Sequence, residues 1–121
     1  MKINKVLILS ILILLLTACV SGAPPLTTEQ ATMMLDFPVH KVGDNPNNSY
    51  EVISDISGAD CSGAPFGGRI WGDAEKAIEV IKAKAIHEGA DALINVSCGA
   101  VPVLNNCWAA KKCKGVAVEY K

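Results

Sequence analysis

The stretch VSCGAVPVLNNCWAAKKCKGVAVEY, residues Val96 to Tyr120, carries three of the five cysteines in the chain. A fourth, Cys61, lies upstream in SGADCSGAP. Structural zinc sites usually bring cysteines together in pairs two to four residues apart, and thiol redox centres usually use Cys-x-x-Cys. Cys61, Cys98, Cys107 and Cys113 contain no such pair. Their spacing therefore favours structural disulfides, and we expect no bound metal and no cofactor.

Four cysteines allow three disulfide pairings. If the last two predicted strands form an antiparallel hairpin, Cys98 ends the first strand and Cys113 begins the second, across a 14-residue loop. Cys107 lies inside that loop and is left to reach Cys61 at the end of an earlier strand. The expected disulfides are therefore Cys61–Cys107 and Cys98–Cys113. Loop-closure entropy gives about 4 kcal/mol for the longer ring and about 3 kcal/mol for the shorter one.

The segments around the cysteines alternate between strand and helix patterns. YEVISDI, Tyr50 to Ile56, predicts a strand, and DALINVSC and CKGVAVEYK predict two more. Between them, Asp73 to Glu88 predicts an amphipathic helix with Asp73 as N-cap and Gly89 as its stop. The apolar stripe of this helix consists of Ala74, Ala77, Ile78, Ile81 and Ala85. The order predicts an α+β domain in which one helix packs on a three- to four-stranded sheet.

The N-terminus, MKINKVLILSILILLLTAC, resembles the signal sequence of a bacterial lipoprotein. Lys2 and Lys5 precede an apolar run, Val6 to Leu16, that is short for a transmembrane helix of about 20 residues. LTAC then places small residues before Cys19, as in a lipobox. We expect residues 1–18 to be removed and Cys19 to carry acyl chains, palmitate among them, that anchor the protein in a membrane. The alternative is an ordinary secretory signal.

The remaining 103 residues suffice for one small domain. They hold nine Lys and Arg against twelve Asp and Glu, so we expect no nucleic-acid partner. Residues 19–48 are predicted to be the lipidated cysteine and a proline-containing tether, in which Thr27 and Gln30 have capping-box spacing. We expect the apolar stretch from Met33 to Phe37 to dock on the domain or on the lipid surface; the alternative is a partner-binding segment. Residues 49–121 are predicted to be the disulfide-bonded domain.

The lipobox, SGADC, the amphipathic helix, GADALINVSC and NCWAAKKC together resemble the RcsF-type outer-membrane lipoproteins, over roughly Tyr50 to Lys121. That family pairs its four cysteines first to third and second to fourth, which agrees with the pairing above. The resemblance implies a lipid-anchored outer-membrane protein with a periplasmic domain, which senses envelope stress and signals to the Rcs phosphorelay. The implied partners are outer-membrane β-barrel proteins, their assembly machinery and the inner-membrane regulator of the phosphorelay. Residues 20–48 are shorter and more apolar than the proline-rich linker of that family.

We expect a non-enzymatic sensor or adaptor, because the sequence offers no nucleophile–base pair and each mature thiol has a structural use. Phe66, Trp71 and Trp108 are the expected aromatic anchors for a partner. The alternative for Trp71 and Trp108 is packing in the core. A basic cluster, Lys111, Lys112 and Lys114, is either a solvated face or a contact for an acidic partner. The alternative functions are a passive envelope lipoprotein that assists barrel assembly or surface integrity, and a small metal-binding lipoprotein.

Overall fold

The computed structural model describes residues 23–44, 46–62, 71–104 and 107–121, without the side chains of residues 102–104 and 108. The elements are α1 (Thr28–Met33), β1 (Val39–Lys41), β2 (Tyr50–Asp60), α2 (Ala74–His87), β3 (Ala92–Leu104) and β4 (Cys107–Tyr120). The four strands form one sheet in the order β1-β3-β4-β2, with α2 packed on it. β1 runs parallel to β3, and the other pairs are antiparallel. The predicted α+β fold is confirmed.

Helix α2 has the predicted ends and the predicted apolar stripe. The Asp73 carboxylate accepts a hydrogen bond from the Glu75 backbone N–H at 2.8 Å, and Gly89 ends the helix with a φ of 82°. Ala77, Ile81 and Ala85 of α2 are fully buried on the side of the helix that faces the sheet. A Cβ atom on Gly58 of β2 would lie 2.7 Å from Val80 Cγ1 of the helix. A glycine is therefore needed here, because it allows α2 to approach the sheet closely.

The predicted 14-residue loop between the last two strands is wrong, because the β3–β4 hairpin continues through it. Pairing extends from Cys98↔Cys113 to Leu104↔Cys107. The Cα atoms of Cys98 and Cys113 are 4.1 Å apart, as in a non-hydrogen-bonded antiparallel pair. Pro102 pairs with Ala109 four residues further along, so its nitrogen also points away from β4. Proline is tolerated there because it removes no hydrogen bond between β3 and β4.

The N-terminal segment, predicted as a tether, is partly built into the fold. Phe37 is 7% exposed within the main core, and Leu26 and Met34 pack against that core. The capping box at Thr27 is formed by two hydrogen bonds. The Gln30 backbone N–H donates to the Thr27 hydroxyl oxygen, and the Thr27 backbone N–H donates to the Gln30 side-chain oxygen. β1 then pairs with β3. Among the described residues, packing on the core therefore starts at Leu26, whereas the domain was predicted to start at residue 49.

Both expected disulfides are present, and both end on β4. Cys98–Cys113 joins directly paired residues of β3 and β4. Cys61 directly follows β2, whose last residue pairs with β4, and it reaches Cys107 with a Cα–Cα distance of 6.1 Å. Cys113 is fully buried, and its Sγ lies 3.6 Å from the Ala74 carbonyl oxygen at the start of α2. The disulfides therefore connect β4 to β3 and to the end of β2.

Reduction of both disulfides should abolish the cooperative thermal unfolding of the protein. The bridges close rings with sequence separations of 46 and 15 residues, worth about 4 and about 3 kcal/mol. Together these rival the whole free energy of unfolding of a small domain, about 5–15 kcal/mol. Circular dichroism during heating, with and without reductant, makes the comparison, and alkylated but unreduced protein is the control. A reduced sample that keeps a cooperative transition near the original temperature would contradict this prediction.

Candidate interaction surface

The predicted aromatic anchors differ in what the structure describes of them. Trp71 is 46% exposed, and its backbone forms a parallel bridge with Ala109 of β4. The alternative of core packing is therefore wrong for Trp71. Trp108 lies in β4, but its side chain lies outside the described part of the structure, and so does the whole of Phe66. The role of all three in partner binding stays a prediction.

Gly72 fixes the position of the exposed Trp71. Its backbone N–H donates to the Ala109 carbonyl oxygen at 2.8 Å. A Cβ atom on Gly72 would lie 1.8 Å from the Asp60 carbonyl oxygen and 2.5 Å from the Lys111 backbone nitrogen. These contacts leave no room for a side chain. The backbone next to Trp71 therefore lies directly on the ends of β2 and β4.

The Asp60 carboxylate joins three segments at this end of the sheet. It accepts hydrogen bonds from the Asp73 backbone N–H at 2.9 Å, from the Ser62 hydroxyl at 3.2 Å and from the Ser62 backbone N–H at 3.4 Å. Burial raises the pKa of Asp60, but these hydrogen bonds and the nearby Lys76 ammonium outweigh it, so the pKa lies below its ordinary value of 3.8. The ionised carboxylate thus holds the end of β2 against the start of α2.

The three lysines of the predicted basic cluster do not form one surface. Side chains alternate between the two faces of a strand. Cys113 and Ala117 of β4 pack in the core beneath α2, so Lys111 shares their side of the strand. Lys112 and Lys114 are exposed on the opposite side. That side therefore carries two of the three positive charges.

The face of the sheet opposite α2 carries an apolar cluster that the sequence analysis missed. Its members are Ala92, Ile94, Val116, Val118 and Tyr120. Next to it, Val52 pairs with Val118 and is 59% exposed. The alternation in VAVEY contained this signal, but both faces of β4 carry apolar or small residues. The sequence alone therefore could not say which set lies under the helix.

A groove of about 560 Å³ runs beside the outer edge of β2. We call it the β2 groove; its lining includes Asp55, Ser57, Lys84, His87 and Glu88, with Ala23 and Pro24 also contributing. The Lys84 ammonium donates to the Ser57 carbonyl oxygen at 2.7 Å, and the Ser54 hydroxyl donates to the Glu88 carboxylate. The groove is thus bounded by the edge of a strand on one side and by the C-terminal half of α2 on the other.

The four cysteines of the domain are disulfide-bonded in this structure, so they do not offer thiolate ligands to a metal. Within the described ranges, no group of three or more His, Cys, Asp or Glu side chains is arranged to hold a metal ion. Among the same residues, no helix combines the length and apolar character needed to cross a bilayer.

No protein-family model matches the chain, and no curated protein matches it at a significant level.

Replacing Gly72 by alanine should destabilise the domain by about 2 kcal/mol, because the new Cβ atom overlaps backbone atoms of β2 and β4. Gly99→Ala is the matched control, since a Cβ there meets nothing within 4 Å, and its effect should stay within about 0.5 kcal/mol. Urea unfolding of both variants measures the difference. Equal stabilities for the two variants would show that the fit around Gly72 is not tight.

Asp60→Asn should lower stability at pH 7 by about 1 kcal/mol, because the hydrogen bonds lose their charged acceptor. The native pKa of Asp60 is lowered, so its contribution is fully present above the unfolded-state pKa of about 3.9 and is lost as the pH falls through the native value. Urea unfolding at pH 7 and pH 3 should therefore show a smaller pH dependence for the variant than for the parent. Asp36→Asn, which removes an exposed carboxylate, is the matched control and should change stability at pH 7 by less than about 0.5 kcal/mol.

Proposed function

We propose that the protein is a lipid-anchored envelope protein of the RcsF type, a non-enzymatic sensor or adaptor that acts through protein–protein contacts. The observation that carries the proposal is the interleaved disulfide pairing, Cys61–Cys107 and Cys98–Cys113, which is the pairing implied by that resemblance. Disulfides of this kind form in oxidising compartments outside the cytoplasm. LTAC at residues 16–19 supplies the lipobox, and Cys19 carries the acyl chains.

The anchor holds the domain close to the membrane. Leu26 packs against the core, and it lies seven positions after Cys19 in the chain. A fully extended chain spans about 3.3–3.6 Å per residue, which limits this separation to about 25 Å. Partners therefore meet the domain near the membrane surface, and those named by the resemblance are outer-membrane β-barrel proteins, their assembly machinery and the inner-membrane regulator of the Rcs phosphorelay.

The same short reach favours a second candidate function, a passive envelope lipoprotein that assists barrel assembly or surface integrity. Such a protein needs partners in its own membrane and no contact with a regulator in another one. A metal-binding lipoprotein has less support, because disulfide bonds occupy the sulfur atoms that would serve as ligands.

Site-specific photo-crosslinking in living cells tests the sensor function. A photo-reactive amino acid replaces Trp71, which is 46% exposed, and in a control it replaces Val52, which is 59% exposed on the face of the sheet opposite α2. We expect crosslinks from position 71 to a β-barrel protein at rest, and to an inner-membrane regulator after envelope damage. Crosslinks from position 52 should be at least about tenfold weaker, because an interface concentrates its binding energy in few residues.

Two results would decide against the sensor. The same β-barrel partner before and after damage would favour the passive lipoprotein. Unchanged membrane fractionation of Cys19→Ala would show that Cys19 is not the anchor, and the lipoprotein assignment would fail with it.

A further inference from the structure

We propose that the β2 groove binds an extended, basic segment of a partner protein, which adds to the sheet as a fifth strand beside β2. This inference deepens the proposed adaptor function by naming the chemistry of the partner segment. Strand addition of this kind uses backbone hydrogen bonds for affinity and alternate side chains for specificity.

Among the described residues, no strand pairs with the outer edge of β2. β2 lies at the end of the strand order and pairs with β4. The Ser57 carbonyl oxygen bonds to Lys84 of α2 and thus faces away from β4. In an antiparallel ladder, the N–H and C=O of one residue point to the same side, and this side alternates along the strand. Asp55, Ser57 and Ala59 therefore present their N–H and C=O groups at the outer edge of β2, where Asp55 and Ser57 also line the groove.

The shape of the groove suits an extended chain. α2 forms the opposite wall with Lys84, His87 and Glu88, and the volume is about 560 Å³. A strand lying there would turn alternate side chains toward α2 and the other side chains toward the face that carries Asp55. Lys84 protects the edge in the unbound protein, as lysines on edge strands often do. An incoming strand displaces its ammonium group from Ser57.

The charged side chains at the groove indicate the chemistry of the segment that binds there. The groove is lined by two carboxylates, Asp55 and Glu88, and by one ammonium group, that of Lys84. A second copy that paired its own β2 here with the two Asp55 residues opposite each other would bring their carboxylates close together on one face, which is unfavourable. A strand with Lys or Arg beside Asp55 gains a favourable cross-strand pair instead. The observations thus favour a basic partner segment over a dimer of this chain.

A peptide titration of the full mature chain tests the inference. The probe is a blocked peptide, Thr-Val-Lys-Val-Lys-Val-Thr, whose valines face α2 and whose lysines face Asp55. Backbone amide shifts and hydrogen exchange are followed by NMR. We expect the probe to bind and to slow exchange at the amides of Asp55, Ser57 and Ala59. A peptide with glutamates in place of the lysines should bind at least about tenfold more weakly.

Two substitutions at one exposed position provide the matched comparison. Ser57→Pro removes the outward N–H while sparing the β2–β4 hydrogen bonds, and we expect about tenfold weaker binding, or about 1.4 kcal/mol. Ser57→Ala keeps that N–H and should bind within twofold of the parent. Unchanged thermal unfolding of both variants ensures that a loss of binding reports on the edge and not on the fold.

A charge reversal tests the specificity. Asp55→Lys should prefer the glutamate peptide over the lysine peptide. The proposal is overturned if Ser57→Pro binds the lysine peptide as well as Ser57→Ala does, or if the protected amides lie outside β2. It is also overturned if sedimentation shows a dimer that Ser57→Pro dissociates, because the occupant would then be a second copy. None of these results depends on lipidation or signalling, so this inference and the proposed function fail separately.

Discussion

The covalent attachment of β4 to both of its neighbours is the constraint on which the rest of the structure depends. This central strand carries Cys107 and Cys113, which bond to Cys61 after β2 and to Cys98 in β3. Among the described residues, the largest fully buried side chains are Ile81, Ile86, Leu93, Val118 and Cys113, and much of the remaining core is alanine. A core of this kind buries little apolar area per residue, so the loss of unfolded-state entropy caused by the disulfides becomes a large part of the stability.

Close packing of α2 on one face of the sheet decides which surfaces remain for function. Glycines allow a close approach at two points, because Gly58 lies against side chains of α2 and Gly72 lies against the backbone of β2 and β4. The helix therefore lies over β2 and β4 and leaves the outer edge of β2 beside a groove. At the other end of α2, the same packing leaves Trp71 half-exposed on a fixed backbone. A binding surface on such rigid elements needs little reordering when a partner arrives.

The N-terminal segment relates the domain to the proposed membrane anchor. Phe37 enters the core and β1 extends the sheet, so residues 26–41 of the predicted tether belong to the fold. Ala23 and Pro24 line the β2 groove, which places this groove next to the chain that leads to Cys19.

The sequence by itself determined the α+β class, the ends of α2 and both disulfides, because helix caps, apolar periodicity and cysteine spacing are local or nearly local signals. It did not determine the length of the β3–β4 hairpin. A proline normally argues against a strand, and the sequence does not show that the nitrogen of Pro102 points away from β4. The burial of Phe37, the faces of β4 and the open edge of β2 were decided only by tertiary structure. Each of these depends on which distant segments meet, and a strand with apolar or small residues on both faces does not encode which face its helix will cover.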